Sequence, residues 1–220
     1  ISALLTAYAL QKRHDPIHLS FAWLSASICI WCVTSVGEAL APDITAKYLW
    51  TVVQYLGSQT SPVLFFLFIL RFTGNDIYIT KKTETALFIL PVCSIIMAAT
   101  NQYHHLLWPD IYLVETPFSV MITFYEHGPW YWVEVIYSYF LLLAGMLLLL
   151  FTSLKQPPIY TIQTRFVLAA SIIPVAGNVL YALFPEYLYG IDPTPALFCV
   201  TCILLYYAMT RLKLFDLIPV

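Results

Sequence analysis

Apolar and polar residues in this chain are segregated by whole segments rather than by single turns. Six runs of about twenty predominantly apolar residues stand out, near Ile17–Leu40, Ala46–Phe72, Thr83–Thr100, Trp130–Thr152, Thr161–Phe184 and Pro193–Arg211. A helix of that length crosses the hydrocarbon core of a bilayer, so each run predicts one membrane span. The opening run, Ile1–Leu10, is too short to span alone, yet it ends at Gln11-Lys12-Arg13 as a span would. It reads as the inner half of a truncated first helix, which brings the expected total to seven spans. A cleaved signal peptide fits less well, because the positive charges follow the apolar run instead of preceding it.

The long connection Asn101–Pro129 follows a different pattern. Within it, DIYLVET and SVMITFYE alternate in side-chain character and are parted by Pro117-Phe118. That alternation predicts an extracellular β-hairpin between the fourth and fifth spans, placed as a lid. The segment ends in HGPWYW, whose Trp130 and Trp132 suit a membrane interface.

Composition agrees with the segment pattern. Of the 220 residues, 60% are hydrophobic and 10% charged, against about 25% charged in soluble domains. A net charge of −2 argues against a nucleic-acid partner. The placement of charge says more than its sum. Lys12, Arg13, Arg71, Lys81, Lys82, Lys155, Arg165, Arg211 and Lys213 collect on one side, and Lys47 stands alone on the other. Cytoplasmic loops carry the excess of Lys and Arg, so the N-terminus is expected outside and the C-terminus in the cytoplasm. The fold expected is an all-α seven-transmembrane helix bundle over residues 1–211, with residues 212–220 beginning a cytoplasmic connector.

Polar residues within the spans gather toward the outer side. They are Glu38, Gln54 with Tyr55, Asn101 with His104 and His105, Glu134 with Tyr137, Asn178 with Tyr181, and Asp192 with Thr194. Polar groups in a bilayer are costly and tend to mark function, and six helices bringing them to one level predict a pocket that opens outward. Each residue also has a plainer reading. Asp192 favours a helix N-terminus electrostatically, Asn178 can bridge two helices, and His104 can cap a helix end. Pro62, Pro91, Pro174 and Pro195 lie in or at the start of spans, where each removes a backbone hydrogen bond. They serve either as packing kinks or as hinges that move when the pocket fills.

Other chemistry is hard to find. Cys29, Cys32, Cys93, Cys199 and Cys202 all sit in apolar runs and read as packing residues, not as a disulfide framework or a metal site. There is no HExxH, GxGxxG or Walker A sequence. No cofactor is expected, and catalysis by this segment is not. A transporter would usually show an internal repeat and broken helices at the midplane, and neither is evident.

In order and spacing, the polar landmarks resemble the seven-transmembrane N-terminal sensor region of bacterial and archaeal histidine kinases, also found in front of diguanylate cyclases. The matching features are Trp31 and Glu38, Leu56-Gly57 followed by Pro62, RFTG at Arg71–Gly74, and Thr100-Asn101 with His104. HGPWYWVEVIYSY, the Pro174/Asn178/Leu180-Tyr181 set, DPTP at Asp192–Pro195 and the closing RLKLFDLIP complete the series. The resemblance implies a sensor that binds a small extracellular or membrane-dissolved ligand, works as a homodimer, and leads into a cytoplasmic kinase or cyclase domain of the same chain. The expected ligand-binding residues are Glu38, Gln54, Asn101, His104, Glu134, Tyr137, Asn178, Tyr181 and Asp192. Pro62, Pro174, Pro195, Arg211 and Phe215 are expected to transmit the signal through the seventh span. A small-molecule permease and a passive membrane anchor are the competing readings.

Overall fold

The computed structural model describes residues 2–11, 15–115, 121–155, 158–184 and 192–211. The hairpin tip at Pro117-Phe118, the connector 212–220 with Phe215, and the side chains of Arg211, Cys199 and Cys202 lie outside the described residues.

The helices begin where the apolar runs begin. They are α1 (Ser2–Gln11), α2 (Pro16–Leu40), α3 (Ile44–Ser58), α4 (Ser61–Phe72), α5 (Lys81–Ala99), the single turn α6 (Asn101–His104), α7 (Pro129–Lys155), α8 (Pro158–Leu183) and α9 (Thr194–Arg211). Local chemistry sets several starts. Asp15 Oδ1 accepts the backbone N–H of Ile17 at 2.8 Å, and Asp43 Oδ1 accepts that of Ala46 at 2.8 Å. Each satisfies an amide that the first helical turn leaves unpaired. Among the described residues, five helical segments are long and apolar enough to cross a membrane: Pro16–Leu40, Ile44–Phe72, Lys81–Ala99, Pro129–Lys155 and Thr164–Tyr181.

The run expected as one helix over Ala46–Phe72 is broken at Gln59-Thr60 into α3 and α4. Pro62 has no N–H to return to Ser58, and the hydroxyls of Thr60 and Ser61 bond the carbonyls of Leu56 and Gly57 at 2.6 and 2.7 Å.

Helices α2, α4, α7, α8 and α9 pack in succession and close into a ring where α9 meets α2. Helix α1 fills the seam between α2 and α9, and α5 lies against α3 and α7. Between α6 and α7, strands β1 (Ile111–Glu115) and β2 (Met121–Tyr125) pair antiparallel, with Leu113 opposite Thr123. This is the two-stranded sheet that the alternating pattern predicts.

The two ends of the bundle differ. Away from the hairpin the ring is solid, with Leu5, Ala9, Phe21, Phe68, Phe72 and Leu149 buried in one cluster. Arg71 ties that end together, donating to Ser20 Oγ on α2 and to Glu84 Oε1 on α5 at 3.1 Å. Toward the hairpin the ring is hollow.

Candidate functional site

The hollow end holds a cavity of about 480 Å³, within the range of small-molecule sites. Toward the packed end its walls are apolar, formed by Leu24, Ile28, Phe65, Phe68, Leu142 and Val167. Toward the hairpin they turn polar and aromatic. Close approach of α2 and α3 shapes one wall. A Cβ on Gly57 would stand 2.6 Å from both Ser27 O and Trp31 N, so only glycine lets these backbones meet. That contact fixes Trp31 in the wall, with its ring 5.2 Å from Phe198 of α9.

Glu134, one turn into α7, is 2% exposed. Its Oε2 accepts from Tyr55 Oη at 3.2 Å and from Gln59 Nε2 at 3.3 Å, which joins α7 to α3 and to the break after it. Its Oε1 meets no partner at strict hydrogen-bond geometry, though the Ser94 and Trp130 side chains stand near the carboxylate. Two other buried polar atoms in the cavity wall are in the same condition, Trp31 Nε1 and Ser58 Oγ. Most buried polar atoms are paired, and these three all lie around one cavity.

The opposite wall is a polar seam. Tyr139 on α7 donates to Asn178 Oδ1 on α8 at 2.6 Å, and Asn178 Nδ2 donates to Thr194 Oγ1 at the start of α9 at 3.0 Å. Asp192 Oδ1 accepts the Thr194 N–H at 2.9 Å and so caps α9. Asn178 and Asp192 thus bond helix starts, as their plainer readings expect, and both also line the cavity.

The hairpin closes the top. Thr123 on β2 donates to Glu38 Oε1 at 2.9 Å, and Tyr125 Oη pairs with Thr51 Oγ1 at 2.6 Å. Trp108 wedges beneath, with ring centroids 5.2 Å from Tyr55 and 5.0 Å from Tyr125. Lys47, 4% exposed, turns its Nζ to the carbonyls of Glu38 and Ala39 at 2.9 and 3.4 Å, where it caps the end of α2. His127 stacks on Tyr131 at 3.7 Å, and burial holds its imidazole pKa below the ordinary value.

Six of the nine residues singled out from the sequence line this cavity: Glu38, Gln54, Glu134, Asn178, Tyr181 and Asp192. Three do not. Asn101, 2% exposed, folds the loop, with Nδ2 donating to Trp108 O at 2.8 Å and Oδ1 accepting from the amides of Leu107 and Trp108 at 3.1 Å each. His104 caps its own turn, Nδ1 accepting from Leu106 N at 3.0 Å. Tyr137 faces away and donates to Leu87 O on α5 at 2.7 Å. Pro62, Pro174 and Pro195 all border the cavity. Pro174 lies inside the continuous α8, Pro62 begins α4, and Pro195 sits in the first turn of α9, where it breaks no helix. The sequence reading missed Gln59, Ser58 and Thr123. The polar stretch Ser58–Ser61 inside an apolar span was the available signal for the first two.

Among the described residues no group of three or more His, Cys, Asp or Glu side chains is placed to hold a metal. Cys29 and Cys93 are free thiols, and Cys32 Sγ donates to Pro195 O at 3.5 Å.

The family model for the N-terminal 7TM region of histidine kinase matches residues 1–219. No curated protein and no solved structure matches the chain. With its five long apolar helices, the match makes this a multi-pass membrane protein.

Proposed function

Because this chain belongs to the family of N-terminal 7TM regions of histidine kinases, we propose that it senses a small molecule in the hairpin-capped cavity and passes the signal through α9 to a cytoplasmic kinase domain. In this reading α1, α2, the broken α3–α4 pair, α5, α7, α8 and α9 are the seven spans. The bias of Lys and Arg supports the orientation. Arg71, Lys81, Lys82, Lys155 and Arg165 fall toward the solid end and Lys47 toward the hairpin, a bias that favours an outward-facing cavity. The observation that carries the proposal is the cavity beneath the hairpin, with buried polar atoms unpaired on three of its wall helices.

Ligand binding can shift a conformational equilibrium only through different affinities for the two states. Helix α9 is placed to feel such a difference, because Thr194, Pro195, Phe198 and Thr201 all line the cavity. The test is to fill the cavity. Ser138→Phe on α7 and Ser171→Phe on α8, made in the full-length kinase reconstituted in proteoliposomes, should change autophosphorylation about fivefold or more, the lower end of common allosteric couplings. Unchanged phosphorylation by both folded variants means that the region only anchors the enzyme. Solute uptake into the same vesicles would favour a permease instead.

A further inference from the structure

The electrostatic balance of the cavity is uneven. Three carboxylates line it, those of Glu38, Glu134 and Asp192, and among its described lining residues the only Lys or Arg is Lys47. The Lys47 ammonium is already committed to the carbonyls that end α2. His127, also in the wall, is held toward its neutral form by burial. The hydrogen bonds to the carboxylates come from neutral groups: Thr123 to Glu38, Tyr55 and Gln59 to Glu134, and the Thr194 amide to Asp192. None of these three acids has an ion-pair partner within the protein among the described residues. Glu38 and Asp192 are half-buried, while Glu134 is 2% exposed, and a carboxylate buried without a counter-charge is costly.

The aromatic groups favour the same kind of occupant. Tyr131 lies within electrostatic reach of Glu134 and Asp192, and Tyr181 of Asp192 and Glu38. Both tyrosines line the cavity, and aromatic rings near carboxylates suit an ammonium group. Of the atoms left unpaired, Glu134 Oε1 and Ser58 Oγ can each accept an N–H bond, while Trp31 Nε1 asks for an acceptor on the ligand. Below them the wall of Leu24, Ile28, Phe65 and Phe68 is apolar.

We propose that the cavity takes an amphiphilic organic cation, an amine whose charged head sits among Glu38, Glu134 and Asp192 and whose apolar body points toward the packed end of the bundle. This rests on the cavity being the ligand site. The head would supply the counter-charge that the protein omits, and the body would fill the apolar half. An organic acid of the same shape would bring a further carboxylate among Glu38, Glu134 and Asp192 and be disfavoured.

The experiment compares three nearly isosteric probes, 4-phenylbutylamine, 4-phenylbutanol and 4-phenylbutanoate, on the full-length kinase in nanodiscs. Binding is read from quenching of tryptophan fluorescence and, separately, from the thermal midpoint. The amine should bind at least about tenfold tighter than the alcohol, with the butanoate weakest. Glu134→Gln should reduce the amine to the level of the alcohol and leave the alcohol unchanged. Asp192→Asn offers an independent variant that keeps the cap on α9, because Asn caps as well as Asp. It should also weaken the amine selectively. Alcohol or butanoate binding as tight as the amine overturns the cation assignment while leaving the cavity a ligand site. Binding by none of the probes, together with unaltered phosphorylation in the Ser138→Phe and Ser171→Phe kinases, overturns the cavity reading itself.

Discussion

Replacing Gly57 with alanine tests the claim that the α2–α3 contact fixes the cavity wall. The added Cβ would lie 2.6 Å from Ser27 O and from Trp31 N, where ordinary contacts begin at 3.4 Å. The helices must therefore part by about 0.8 Å, the difference of those two distances. Both obstacles are backbone, so no rotamer change relieves them. Overpacking of this kind costs about 1–3 kcal/mol. The higher helix propensity of alanine, ~1 kcal/mol in water, offsets little here, because membrane helices stay formed when they separate. A net loss of about 2 kcal/mol corresponds to a fall of roughly 4–8 °C in the thermal midpoint for a chain of this size. The assay is thermal unfolding of purified protein in nanodiscs, followed by tryptophan fluorescence. The neighbouring Ser58→Ala serves as the control. Its hydroxyl has no partner within the protein, so its removal should move the midpoint by no more than about 1 °C. Gly57→Ala unfolding at or above the wild-type temperature would refute the close-approach argument.

Other predictions follow from single contacts. Asn101→Ala removes three hydrogen bonds that hold the Leu107-Trp108 loop under the hairpin. It should destabilise the protein by about 2–3 kcal/mol through the amides and carbonyl left unpaired, seen as a lower midpoint and as faster exchange at Leu107 and Trp108. Thr123→Val removes the bond to Glu38 at constant shape. It should speed amide exchange in β2 roughly fivefold, as loss of about 1 kcal/mol implies, without altering the bundle. Burial lowers the His127 pKa in the folded protein, so unfolded chains bind its proton first as the pH falls. Stability is then full above about pH 6.5, the ordinary imidazole value, and declines below it until the folded pKa is passed. His127→Phe should flatten that part of the pH–midpoint curve.

The helices were legible because a bilayer fixes both the length and the polarity of what crosses it. The run beginning at Ile17 and ending at Leu40 became α2 at Pro16–Leu40, and the one over Trp130–Thr152 became α7 at Pro129–Lys155. Such runs give the depth of each polar residue but not the direction it faces around its helix. Glu134 and Tyr137 are three residues apart, so their directions differ by only about 60°. One faces the cavity and the other grips α5. Choosing between them requires knowing where the neighbouring helices stand, which depends on packing between distant segments. Asn101 was misread for a related reason. Its side chain bonds the backbone of Leu107 and Trp108, six and seven residues on, a local loop structure that hydrophobic periodicity does not encode. Gln59 lay hidden in a run that looked like one unbroken span, and it gained its position only because the helix breaks there.

The contrast between the bundle's two ends bears on how a sensor of this shape could work. A solid bundle throughout would leave nothing for an occupant to change, and a hollow one throughout would have no rigid part to move. Here α9 joins both conditions. Its first turns border the cavity and are tied to α8 by the bond from Asn178 to Thr194 and by the 3.0 Å bond from Thr201 to Ala170 O. They are tied to α2 by the packing of Trp31 on Phe198 and by the 3.5 Å contact from Cys32 Sγ to Pro195 O. Three of these four ties hold α9 through side chains that themselves line the cavity, so an occupant that repositions Trp31 or Asn178 must also act on α9. The packed cluster at the other end resists deformation, because close-packed interiors transmit strain rather than absorb it. A shift of α9 at the cavity would therefore be carried along the helix as a displacement of the whole element.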